Sequence, residues 1–237
     1  TPGALSRLLG CPPNGGRITV LSPLLGNVYL HCVLDLWFER EVKPRLRGEA
    51  HLVRYADDFV MTFETKDDAE RVMEVLGKRM GRFGLTLHPT KTRLLPFRRP
   101  PAGQLGGKGP ATFDFLGFTL YWRRSRSGRW GMTCKTRAVR RRRSVLAITD
   151  WCRRHRHLPV RTQHAALTRR IQGHVNYFGV SGNFRSLLLF VYEVERAWYK
   201  WLRRRSQQAH LDWEGFRRLL ERMPLPRPRI KIRIWGT

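Results

Sequence analysis

The stretch Arg54-Tyr-Ala-Asp-Asp-Phe-Val-Met-Thr-Phe63 sets two adjacent carboxylates, Asp57 and Asp58, between two β-prone runs. His51, Val53 and Tyr55 alternate with Leu52, Arg54 and Ala56, and Phe59 to Phe63 is largely apolar, so the spacing predicts a hairpin with both aspartates at its tip. Neighbouring anions on a rigid tip suit a hard divalent cation such as Mg²⁺, which takes carboxylate and phosphate oxygens and keeps several waters. Asp also caps its own backbone in ordinary turns, so a solvated surface turn is the competing reading. The apolar arms speak for the metal site, because they call for a packed sheet beneath the tip.

Helices must supply that packing. Leu24, Leu25, Val28, Tyr29, Leu34 and Trp37 recur at helical spacing from Ser22-Pro23 to about Phe38, which predicts a long helix before the hairpin. Asp35 lies within it and reads as a structural or solvated carboxylate rather than a metal ligand. Ala69, Val72, Met73, Leu76 and Met80 predict a second helix over residues 66–83, with Thr65 and Asp68 forming a capping box in outline. Short strands are expected at residues 85–88 and 92–97 around Pro89, with Lys91 just past the turn, where a lone Lys is ordinarily a solvated charge. Residues 98–111 are rich in Pro and Gly and read as a linker, and Phe113 to Trp122 reads as one strand returning near Trp130 to Thr133. Residues 1–21, with Gly15 and Gly16, form either a loop whose backbone can approach a ligand or a plain terminal loop.

Charge divides the chain. Of 237 residues, 46 are Lys or Arg and 18 are Asp or Glu, a net charge of +28. Residues 1–120 hold 17 basic and 12 acidic side chains, whereas residues 121–237 hold 29 and 6, so the surplus lies in the second half. The boundary is placed near Trp122, giving segments 1–122 and 123–237. The second reads as all helical, with helices over residues 135–155, 162–178, 183–205 (capped by Asn183) and 213–222. Only eight of the 46 basic residues are Lys, and Arg suits bidentate phosphate contact and base stacking. A polyanion relieves the self-repulsion of such a surface, so nucleic acid ranks ahead of membrane and of a merely solvated face. No apolar run reaches a membrane span, and four cysteines without CxxC spacing point away from a zinc site or disulfide framework and toward a reducing cytoplasm. A start at Thr1 without methionine fits a fragment.

Five motifs in order resemble the reverse transcriptases encoded by group II introns. Tyr55-Ala-Asp-Asp58 is similar to the metal-binding motif of their palm, and Leu21-Ser-Pro-Leu-Leu25 with Asn27, Tyr29 and Leu30 to the helix after their nucleotide-contacting loop. Gly84 to Thr92 resembles the segment after the palm helix, Phe115-Leu-Gly-Phe118 the primer-grip hairpin, and Gly173-His-Val-Asn-Tyr-Phe178 the thumb, or maturase domain. The resemblance implies an α+β fold, a partial polymerase palm with antiparallel sheet and packed helices, followed by an all-α basic thumb bundle. It implies RNA-directed DNA synthesis with two Mg²⁺ ions, Asp57 and Asp58 as ligands, and Lys91 near the leaving pyrophosphate. Asn14, Gly15 and Gly16 would contact a deoxynucleotide, and Phe115, Leu116 and Gly117 would position the primer. Arg140, Arg141, Arg142, Arg143, Arg169, Arg170, Arg203 and Arg204 would grip intron RNA and the template-primer duplex.

The chain departs from that family in two places. The family's third aspartate sits on an earlier palm strand, which by motif order would precede Thr1. The loop reads Pro13-Asn-Gly-Gly16 and then Arg17 to Leu21 before Ser22-Pro23, three residues longer than usual, with Asn14 in place of Gln. The expectation is a truncated, catalytically incomplete polymerase; the alternatives are a non-catalytic maturase and a relic reading frame.

Overall fold

The computed structural model describes residues 21–101, 111–125, 127–206 and 211–234. Asn14, Gly15 and Gly16 lie outside the described residues. The chain divides into two compact units at Pro96/Phe97, whereas the charge shift falls near Trp122.

In the first unit, helix α1 (Leu21–Leu30) runs on through two π-helical turns, His31–Asp35 and Phe38–Val42, and closes on a 3₁₀ turn at Lys43–Arg45. It is longer than the periodicity predicts because Val33, Leu34, Trp37, Phe38 and Val42 all stay on the buried side. Strands β1 (Ala50–Tyr55) and β2 (Asp58–Phe63) pair antiparallel, with Tyr55 opposite Asp58. Helix α2 (Lys66–Arg82) packs its Val72, Leu76 and Met80 against that core together with Ala50, Leu52 and Phe59. The predicted box is half formed. Thr65 accepts from the Asp68 N–H, but the Asp68 carboxylate takes the Thr65 hydroxyl at 2.8 Å and the N–H groups of Arg47 and Gly48 at 3.1 Å. Those bonds, the Thr65 hydroxyl first among them, hold Asp68 below the usual carboxylate range and tie α2 to the loop entering β1.

The strands expected at residues 85–88 and 92–97 are absent from the described structure. That stretch instead carries a turn closed by the N–H groups of Lys91 and Thr92 on the His88 carbonyl.

In the second unit, the single predicted strand is a tight hairpin: β3 (Phe113–Phe115), then Leu116 and Gly117 at φ +49° and +79°, then β4 (Phe118–Arg124), which pairs on with β5 (Trp130–Thr136). Positive φ at both central residues matches the twist of the flanking strands. Phe97 seats against Phe113 and Trp122 with ring centroids 4.9 and 5.4 Å away, which is why it lies with this sheet rather than on a strand of the first unit. Four helices follow: α3 (Ala138–Arg154), α4 (Val160–Phe178), α5 (Phe184–Leu202) and α6 (Trp213–Arg222). Lys135 and Thr136 belong to β5, not to the helix the periodicity predicts. Leu167, Ile171, Leu187, Phe190, Val194, Trp198 and Phe216 form the helical core. Cys152 lies in it fully buried, and that burial pushes its thiol up to about 12, so it stays a neutral hydrophobe.

Two buried amides fasten this core. Gln163 accepts the Trp198 indole N–H at 3.1 Å and donates to the carbonyls of Leu158 and Arg156. Asn183 sits at the cap position of α5, yet its side chain does not cap. It accepts the Thr136 N–H at 2.7 Å and donates at 2.8 Å to the Thr136 hydroxyl and the Phe178 carbonyl. Beside it, Gly182 at φ +88° lets Thr133 approach so closely that a Cβ would lie 2.1 Å from its Oγ1.

His174 is stacked on Phe190 at 3.7 Å with its Nε2 buried and unpartnered, and burial pulls its pKa down to about 4 from an ordinary 6.5. The unfolded chain therefore takes the proton first. Stability is complete above pH 6.5 and is lost as pH falls through 6.5 toward 4, by on the order of 2 kcal/mol once solvent access to the ring is allowed for. Urea melts across that window measure the slope, and His174→Phe is expected to flatten it.

Candidate active site

The two carboxylates do not share the hairpin tip. The register leaves Ala56 and Asp57 as the two-residue loop, while Asp58 is the first residue of β2 and shares a face with Tyr55. Ala56 takes φ +54° at the first loop position, a conformation that costs a residue with a Cβ. Asp57 and Asp58 are exposed, and among the described residues neither carboxylate has a hydrogen-bond or ion-pair partner.

What fixes this turn lies behind it. Arg54 on β1 grips Asp35 with two parallel bonds of 2.7 Å, Nε to Oδ1 and Nη2 to Oδ2. Its Nη1 donates to the Ala56 carbonyl at 2.9 Å and to Asn27 Oδ1 at 3.0 Å. One guanidinium thus joins α1, the π-helical turn and the loop before Asp57, and the fork geometry of Arg makes that possible. Burial pushes the Asp35 carboxyl up, but the hydrogen bonds and charges of Arg54 and His31 outweigh it and leave it below its ordinary value. The turn carrying Asp35 is held in its place by Arg79, whose Nε donates to the Val33 carbonyl at 3.1 Å and whose guanidinium lies over Trp37 and Phe83. Tyr29 closes the same helix onto the end of α2 through a 2.6 Å bond to the Phe83 carbonyl.

Asp35 is therefore a structural carboxylate, as its place in the apolar pattern suggests, but its partner is not legible there. Replacing Arg54 with Met strands a partly buried carboxylate and frees the strained turn. A loss of about 2 kcal/mol in urea unfolding, with faster amide exchange at Ala56 and Asp57, is the expected outcome. Unchanged exchange at those amides would show that the clamp does not hold the loop.

Lys91 is exposed on the His88 turn, with no contact to Asp57 or Asp58 among the described residues. Phe115, Leu116 and Gly117 form the tight turn of the second unit's sheet, and the Gly173–Phe178 motif holds it. Tyr177 donates its hydroxyl to the Leu116 carbonyl at 3.0 Å, Phe118 stacks on Tyr177, the Arg137 N–H bonds the Gly117 carbonyl, and the Phe178 ring passes 3.4 Å from where a Gly117 Cβ would be.

The arginines divide by environment. Arg140, Arg142, Arg143, Arg169, Arg203 and Arg204 are exposed. Arg141 turns inward to Glu193, its Nε 3.3 Å from the carboxylate, close enough for charge attraction though without hydrogen-bond geometry. Arg170 is exposed too, but its guanidinium lies over the Trp151 ring at 4.4 Å and donates to the Ala166 carbonyl. The bond of Arg54 to Asn27 joins residues too far apart for any local pattern to show, whereas Arg196 and Lys200 on α5 share a helical stripe with Arg203 and Arg204 that the spacing alone displays.

No helix among the described residues is long and apolar enough to cross a membrane. The chain matches no curated protein. Residues 19–120, which take in α1, the aspartate hairpin, α2 and β3, match the family model described as reverse transcriptase (RNA-dependent DNA polymerase).

Proposed function

We propose that the chain belongs to the RNA-directed DNA polymerase of a group II intron, with Mg²⁺ held at the hairpin and the basic helical unit gripping intron RNA as a maturase does. The observation that carries this reading is the pair of exposed, uncommitted carboxylates on a hairpin clamped from behind, inside the reverse transcriptase match. Their oxygens fit a hard divalent cation, because nothing else claims them. Asp57 on the loop and Asp58 on β2 would hold it, Asp57 the more directly. Bound there, Mg²⁺ supplies charge stabilisation to the attacking and leaving oxygens of nucleotidyl transfer. Arg54 holds the loop so that Asp57 need not be ordered at the moment of reaction. Lys91 offers a cation to a leaving pyrophosphate, and Phe115, Leu116 and Gly117 offer a rigid turn to a primer strand.

RNA-templated, Mg²⁺-dependent primer extension by the full gene product tests this reading: extension is expected, and its complete absence would overturn it. A second reading, a non-catalytic splicing factor, is favoured by the incompleteness of the site: among the described residues no third carboxylate joins Asp57 and Asp58, and Asp35 is taken by Arg54. In that case both aspartates can be replaced without loss of splicing, while charge reversal at Arg140, Arg142 and Arg143 abolishes it.

A further inference from the structure

Between α3, the end of α5 and the start of α6 lies a groove of about 770 Å³. Arg196, Lys200, Arg203 and Arg204 line it, and among the described residues none of the four has a carboxylate partner. Glu193, the acidic side chain of its wall, faces Arg141 instead. At the α6 end stands Trp213, 42% exposed. Its position is set rather than loose: Asp212 caps α6 by accepting the Gly215 N–H at 2.7 Å, and the Trp213 ring meets Tyr199 edge-on at 5.0 Å and Phe216 at 5.6 Å. Lys200 and Arg204 lie over the neighbouring Trp201 ring at 5.5 and 5.6 Å. Unneutralised cations would attract any polyanion, but an ordered, exposed indole among them selects for one that presents aromatic faces. A duplex stacks its bases on one another and offers Trp213 no free face, whereas an unpaired strand does.

We propose that this groove seats an unpaired stretch of RNA, its phosphates on Arg196, Lys200, Arg203 and Arg204 and one base stacked on Trp213. The inference rests on the reading of the helical unit as RNA-binding and names the form of RNA it takes. Fluorescence anisotropy with the whole chain tests it, using a labelled single-stranded RNA, a blunt RNA duplex and a single-stranded DNA of the same sequence over a salt series. Trp213→Ala is expected to weaken single-stranded RNA binding about tenfold and to leave duplex binding unchanged, with Trp213→Phe restoring most of the loss. Arg203→Ala with Arg204→Ala, both on exposed side chains, is expected to lower the slope of log affinity against log salt by about 1.4 for the single strand. Single-stranded binding indifferent to both variants would overturn the proposal, as would equal losses on the duplex or equal affinity for the DNA strand. A chain that binds no RNA in any form would overturn the reading beneath it as well.

Discussion

Replacing Asp57 with asparagine in the full gene product is expected to lower Mg²⁺-dependent primer extension about a thousandfold, since a catalytic ion contributes several kcal/mol and each ~1.4 kcal/mol is a factor of ten. The substitution keeps the size of the side chain and removes one charge. Asp57 is exposed and makes no contact that the fold uses, so unfolding by urea should be unchanged. Activity lost with stability intact would separate a metal-holding role from a turn-forming one. Asp58→Asn is expected to act in the same direction; Asp58 stands on β2 opposite Tyr55, where its backbone is already set by the ladder. Full activity with both aspartates replaced would contradict the assignment of the hairpin.

The second large effect is structural. Asn183→Leu in the helical unit removes three hydrogen bonds at a position with no solvent exposure. The Thr136 N–H and hydroxyl then stay buried without partners, at about 1–3 kcal/mol each, while the Phe178 carbonyl keeps only the Val180 N–H. A total of about 4 kcal/mol lowers the melting temperature of a unit this size by about 10 °C. The same change loosens the junction of β5, α4 and α5, so Phe178 and the Leu116-Gly117 turn should lose amide protection along with it. A shift of under about 1 kcal/mol would mean that these bonds are not made in solution.

The hairpin and the helices of the second unit were legible because their patterns are local. Alternation from Ala50 to Phe63 fixes which face is buried, and the 3.6-residue recurrence of Leu167, Ile171, Val175 or Leu187, Val191, Val194, Trp198 marks the helical core. The Leu116-Gly117 turn was not legible, since leucine is not a turn residue and its φ of +49° is sustained by Tyr177, Arg137 and Phe178 from elsewhere in the chain. Neither was the site of Asp57 and Asp58 within their loop, which the register decides, nor the π-helical turns that place Asp35 beneath Arg54. Asn183 misled for a related reason: it has the chemistry of a cap, but Thr136 offers its amide more hydrogen bonds than the helix end does. In each case the deciding partner lies far along the chain, at Asn27 and Asp35 for Arg54, and at Thr136 for Asn183.

Paramagnetic titration tests most directly whether Asp57 and Asp58 hold a divalent metal ion on the clamped hairpin. Mn²⁺, which favours the same oxygen ligands as Mg²⁺, broadens the NMR signals of amides near where it binds, and does so even when binding is weak. Titrated into the chain, Mn²⁺ is predicted to broaden the amides of Ala56 to Phe59 first, with excess Mg²⁺ reversing the effect and the Asp57→Asn, Asp58→Asn double variant abolishing it. Broadening that begins elsewhere, or that persists at the hairpin in the double variant, would contradict the account.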